Sequence, residues 1–90
     1  MKADTKKKVL RRLSLIKGQL NGLTGMVAAE RYCVDVITQS SAIKEALSGV
    51  EGLILENHLT THVIHQIKSG KIRKATGEIL KLYTLAQRKR

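Results

Sequence analysis

Between Cys33 and Ser69 the sequence contains no proline and repeats its apolar residues at helical spacing, Ile43, Leu47, Val50 and Ile54 and then Leu55, Leu59, Val63 and Ile67. The pattern predicts one helix of roughly 35 residues, about 50 Å long at 1.5 Å per residue. A globule of 90 residues has a radius of only about 13 Å. Part of the helix must therefore lay its apolar surface on another subunit. Gly70 is placed to cap its end.

The flanking segments follow the same logic. Val9, Leu13, Ile16, Leu20, Leu23 and Val27 step by threes and fours, predicting a helix from about residue 5 to about 28 with Asp4 or Thr5 as its cap. Ile72, Ala75, Ile79, Leu82 and Ala86 mark a short third amphipathic helix that runs into Arg88, Lys89 and Arg90. No stretch alternates with period two. The expected fold is all-α, a three-helix protomer with one very long central helix, forming a single domain over residues 1–90 within an oligomeric bundle. No short recognition helix follows a tight turn, so a helix-turn-helix is not evident.

Composition narrows the setting. A chain of 90 residues with no Trp, Phe or Pro buries a thin core, for which oligomerisation is the natural support. The single cysteine cannot form an internal disulfide, and no apolar run approaches the ~18 residues of a membrane span or the pattern of a signal peptide. A cytoplasmic location with a reduced thiol is expected. The net charge of +10 is gathered at the ends, with +6 over residues 1–20, −3 over 21–67 and +7 over 68–90. Because each Lys or Arg set on a phosphate releases counterions, two basic ends point to a polyanion. The plain alternative is a solvated surface; a membrane surface fits less well, since the basic segments lack an aromatic anchor.

One constellation carries chemistry. His58, His62 and His65 fall within about 60° of one another on the long helix, and the only cysteine, Cys33, begins that helix. A histidine pair at i and i+4 with a thiolate suits Cu(I), zinc, nickel or cobalt. The plain reading is a set of surface histidines and an inert thiol. Cys33 and His58 are 25 positions apart, nearly 38 Å along one helix, so a shared ion requires the histidines of a second subunit packed antiparallel. His65 would be a fourth ligand or, more simply, a solvent-facing residue.

The residues Arg12-Leu13, Ile16-Lys17-Gly18-Gln19-Leu20, Gly22, Tyr32-Cys33, Gln39, Ala42, His58-Leu59 and His62 resemble the copper-sensitive operon repressor family over nearly the whole chain. The ordered pattern Cys-x24-His-x3-His is the most specific part. The resemblance implies an antiparallel dimer with a four-helix-bundle-like core, paired into a tetramer, with Cys33 of one protomer and His58 and His62 of its partner as metal ligands. Its copper branch usually has a cysteine where His62 stands, but shares the tyrosine and glutamate matched here by Tyr32 and Glu78, which would orient His58. The nickel/cobalt branch adds an N-terminal histidine, the sulfur branch a second cysteine and the formaldehyde branch an N-terminal proline, none of which this sequence has.

Cu(I) is therefore the expected effector, with zinc, nickel or cobalt behind it. The implied function is a repressor that holds double-stranded operator DNA when metal-free and releases it on binding metal. Lys8, Arg11, Arg12, Lys17, Lys71, Arg73 and Lys74 are the candidate DNA contacts, Arg12 foremost. The competing reading from another class is a metal buffer or chaperone without sequence preference for DNA. An enzyme finds no support, because no acid, base or substrate cleft is visible.

Overall fold

The computed structural model describes residues 1–88, so Lys89, Arg90 and the side chain of Arg88 lie outside the described residues. Helix α1 spans Ala3–Ala28, α2 Cys33–His58, α3 Ile64–Lys68 and α4 Ile72–Arg88, with a π-helical turn at Leu59–Val63 between α2 and α3. No strand occurs among the described residues. The backbone groups into two compact units, Met1–Leu55 and a second beginning at Glu56.

In the first unit α1 begins two residues earlier than its expected start, and the cap is Lys2, with no side-chain hydrogen bond. Asp4 and Thr5 are thus not caps. Asp4 instead sits in the first turn, where a carboxylate faces the positive end of the helix, and pairs with Lys8 at 3.4 Å. Val9 and Ile16 of α1 meet Ile43 and Val50 of α2 in one buried cluster, flanked by Leu13, Leu23, Ala46 and Leu53. Gln39 Nε2 donates to the carbonyl of Gln19 at 3.4 Å, and the Arg12 guanidinium covers Gly49, where a Cβ would come within 3.3 Å of Nη1. As α1 advances α2 retreats, so the unit is an antiparallel hairpin. The α1 stripe does not stay buried along its length, since Leu20 and Val27 are 47% and 59% exposed.

The helix ends explain the joints. After α1, Glu30 adopts φ +53°, while its N–H donates to Val27 O and that of Arg31 to Met26 O, both at 3.0 Å. After α3, Gly70 at φ +78° does the same, with its N–H on Ile67 O at 3.1 Å and the Lys71 N–H on Gln66 O at 2.7 Å. Both are Schellman caps, satisfying carbonyls the helix leaves unpaired. Gly70 thus caps as expected.

The long central helix is not α-helical throughout. Thr60 Oγ donates to Glu56 O at 2.9 Å and Thr61 Oγ to Asn57 O at 2.6 Å. These carbonyls are the ones that the two threonines' own N–H groups would take in an α-helix, so side chain competes with ladder. Thr24 and Thr38 make the same bond singly within α-helix, whereas at 60 and 61 two neighbours do so together and the turn widens. The second unit then buries Val63 and Ala75 with two polar side chains, Asn57 and Gln66. Ile72 and Ile79 of the α4 stripe remain exposed. Among the described residues, no helix is long and apolar enough to cross a membrane.

Candidate functional site

His58 closes α2 and His62 stands in the π turn. Their rings stack with centroids 5.2 Å apart and planes 16° from parallel. His58 Nε2 donates to Glu78 Oε2 of α4 at 2.5 Å, each side chain keeping 35% of its surface exposed. With Nε2 engaged, Nδ1 is the nitrogen left to a ligand. Such a carboxylate partner fixes both the tautomer and the ring orientation of a ligating histidine.

The hydrogen bond from His58 holds the Glu78 carboxyl below the ordinary carboxylate range against the opposing effect of desolvation; the charges of His58 and His62 and the Gln66 side-chain amide add to the lowering. His65, the third histidine of the strip, is exposed on α3.

The remaining predicted ligand belongs to the first unit. Cys33 is a free, exposed thiol at the first residue of α2. It lines a shallow hollow with Val27, Glu30, Arg31, Val36 and Ile37. Tyr32 precedes it, 70% exposed, and its carbonyl accepts the N–H of Asp35 and Val36 at 3.0 and 3.2 Å, starting the helix. No group of three or more His, Cys, Asp or Glu able to hold a metal occurs among the described residues. The donors therefore fit a metal as two partial sets, a thiol on one unit and an oriented imidazole pair on the other.

The basic candidates are all exposed, Lys8, Arg11, Arg12 and Lys17 on α1 and Lys71, Arg73 and Lys74 around the start of α4. At about 100° per residue, Lys8, Arg11 and Arg12 share a ~100° arc of α1, whereas Lys17 is turned ~140° from Arg12. The structure thus groups the first three and sets Lys17 on the other flank of the buried stripe.

Gln66 is the residue that sequence reasoning passed over. It is 8% exposed and bears on Glu78. The signal was present: positions 58, 62 and 66 continue one i, i+4 strip.

Comparison with known proteins identifies the family. Residues 5–84 match the family model for metal-sensitive transcriptional repressors. The chain is similar to the copper-sensing transcriptional repressor CsoR of Bacillus subtilis, 38% identical over 78 residues that cover 87% of this chain and 77% of that protein. It is 34% identical over 77 residues to the copper-sensing repressor CsoR of Mycobacterium ulcerans, covering 86% of this chain and 66% of the relative's length. Its fold is similar to the crystal structure of the copper-sensing repressor CsoR with Cu(I) from Geobacillus thermodenitrificans, with a TM-score of 0.76, 31% identity, and coverage of 92% of this chain and 91% of that one.

Proposed function

The chain belongs to the metal-sensitive transcriptional repressor family, and from that premise we propose that it is a Cu(I)-responsive repressor that holds operator DNA when metal-free and releases it on binding Cu(I). The observation that carries the reading is the stacked His58–His62 pair with His58 Nε2 engaged by Glu78. That pair is preset as two thirds of a ligand set, and Cys33 of a partner protomer supplies the thiolate. A thiolate with two imidazoles suits Cu(I), and zinc, nickel and cobalt rank behind it.

Oligomerisation follows from the same division of donors. It is also favoured by the surface, since Leu20, Val27, Val34, Ile37, Ile72, Ile79, Leu80 and Tyr83 are all exposed against a core of six apolar residues among those described. Apolar area of that extent on a small chain calls for burial against other copies. The assembly we propose is an antiparallel homodimer paired into a homotetramer, each chain acting as a single metal-sensing, DNA-binding domain in the cytoplasm.

Each of the chain's own groups has a task. Glu78 keeps the Nε2 proton of His58 and so presents Nδ1. Tyr32, beside Cys33, flanks the site from the thiolate side. Lys8, Arg11 and Arg12, with Lys71, Arg73 and Lys74, neutralise phosphates, and Lys17 contributes from the opposite flank of α1. Cu(I), when bound, supplies a coordination demand that draws thiolate and imidazoles to one point. Because Glu78 belongs to α4, changed occupancy at His58 reaches that helix directly. A coupling of about 1–3 kcal/mol between metal and DNA would suffice.

An anaerobic titration of labelled operator tests the proposal. Cu(I) should weaken operator binding about 5–150-fold in the wild type and leave it unchanged in Cys33→Ala. Tight Cu(I) binding without any sequence preference for DNA would replace the repressor with a metal buffer.

A further inference from the structure

Resting on the reading that His58 and His62 hold Cu(I), we infer that Thr60 and Thr61 are positioning residues. Their adjacent hydroxyls keep the turn between the two histidines in π form and so set His62 against His58. The backbone marks the turn: the Ile64 N–H donates to Leu59 O, five residues back, where an α-helix would use Thr60 O. Just before it, the hydroxyls of Thr60 and Thr61 donate to the carbonyls of Glu56 and Asn57 at 2.9 and 2.6 Å, and Thr60 Oγ1 also reaches Asn57 O at 3.3 Å. Thr24, Thr38, Thr76 and Thr84 each send the same bond four residues back and remain in α-helix. None of these four has a serine or threonine beside it. What sets positions 60 and 61 apart is two such bonds in succession, onto the carbonyls of neighbouring residues.

Packing does not select the pair. Thr60 is exposed and Thr61 half-buried, and inside a helix threonine is a weaker former than alanine or the long polar residues. Its hydroxyl offers the backbone an alternative to the helical ladder and tends to bend it. That local cost falls between the two imidazoles that would share an ion. In an α-helix, residues four apart lie ~40° out of phase around the axis, and a turn closed by a five-residue bond draws His62 back toward the line of His58. There the two rings stand stacked, 5.2 Å between centroids and 16° between planes. Since His58 is tied to Glu78, His62 is the ring whose place the turn decides.

The test compares two full-length double variants, Thr60→Val with Thr61→Val, of similar shape without the hydroxyls, and Thr60→Ser with Thr61→Ser, which keeps them. In metal-free crystals of the valine pair, the Ile64 N–H should pass from Leu59 O to the carbonyl of position 60, and the two rings should leave their stack. The serine pair should keep Ile64 on Leu59 and the rings stacked. Cu(I) affinity, read by chelator competition, should fall about 10–100-fold in the valine pair and return to the wild-type value in the serine pair. A π turn and ring stack unaltered in the valine pair overturn the inference, and so does a shifted turn with unchanged Cu(I) affinity. If the valine pair does not fold, Thr60→Ala with Thr61→Ala, built on the strongest helix former, takes its place with the same outcomes. Unchanged Cu(I) affinity in His58→Ala would instead overturn the ligand reading, while the metal-free crystals still judge what the hydroxyls do to the turn.

Discussion

The first unit closes over branched aliphatic side chains, Val9 and Ile16 against Ile43 and Val50, whereas the second buries Asn57 and Gln66 beside Val63 and Ala75. Aliphatic packing is non-directional and tolerates any arrangement that fills the volume. Buried polar groups depend on orientation and lose most when a partner moves. The first unit thus holds its shape by packing, whereas the second depends on the orientation of its polar groups.

The contrast can be broken most forcefully in the hairpin. Ile43→Ala should cost about 2–5 kcal/mol in urea-induced unfolding, measured by circular dichroism, because the cavity opens within its buried cluster. A loss below ~1 kcal/mol would mean that the aliphatic core is not what holds the first unit. In the second unit His58→Ala should behave in the opposite way. Cu(I) affinity, measured by chelator competition, should fall about 100-fold or more, while the urea midpoint moves little.

Smaller effects come from the two Schellman caps, which carry equivalent hydrogen bonds on different residues. Glu30→Gly relieves a side chain held at φ +53° and should stabilise by about 0.5–1 kcal/mol, whereas Gly70→Ala strains one at φ +78° and should cost about 1 kcal/mol. Equal thermal shifts from both would show that the caps share one backbone strain. The smallest effect follows from Glu78. Because its folded-state pKa is depressed, its contribution is present above the ordinary value of 4.5 and is lost as pH falls through the lower folded-state value. The urea midpoint should therefore drop less on acidification in Glu78→Gln than in the wild type.

Much of the fold was legible because period 3.6 is a property of the chain itself: α1, α2 and α4 begin within two residues of the positions read from apolar spacing. The cap at Lys2 was not, since it uses no side chain. The π turn was invisible because the stripe Leu55, Leu59, Val63, Ile67 continues through it unbroken. Among the site residues, His58 and His62 declared themselves by spacing. Glu78 sits 20 residues from His58 and was reached only through family resemblance, as pairing across two helices leaves no local trace. Gln66 lay on the visible strip, but a glutamine there reads as surface until its burial is known.

The π turn also gives the histidine pair an index. A π turn is a helix carrying one residue beyond what its path requires, and Leu59–Val63 places that surplus between the two rings. Losing one residue among Leu59, Thr60 and Thr61 would leave a continuous helix in ordinary pitch with the two histidines three positions apart, about 60° from one another around the axis. The surplus residue therefore belongs to the spacing of the stacked rings, which a continuous helix would set at a different offset while keeping both histidines.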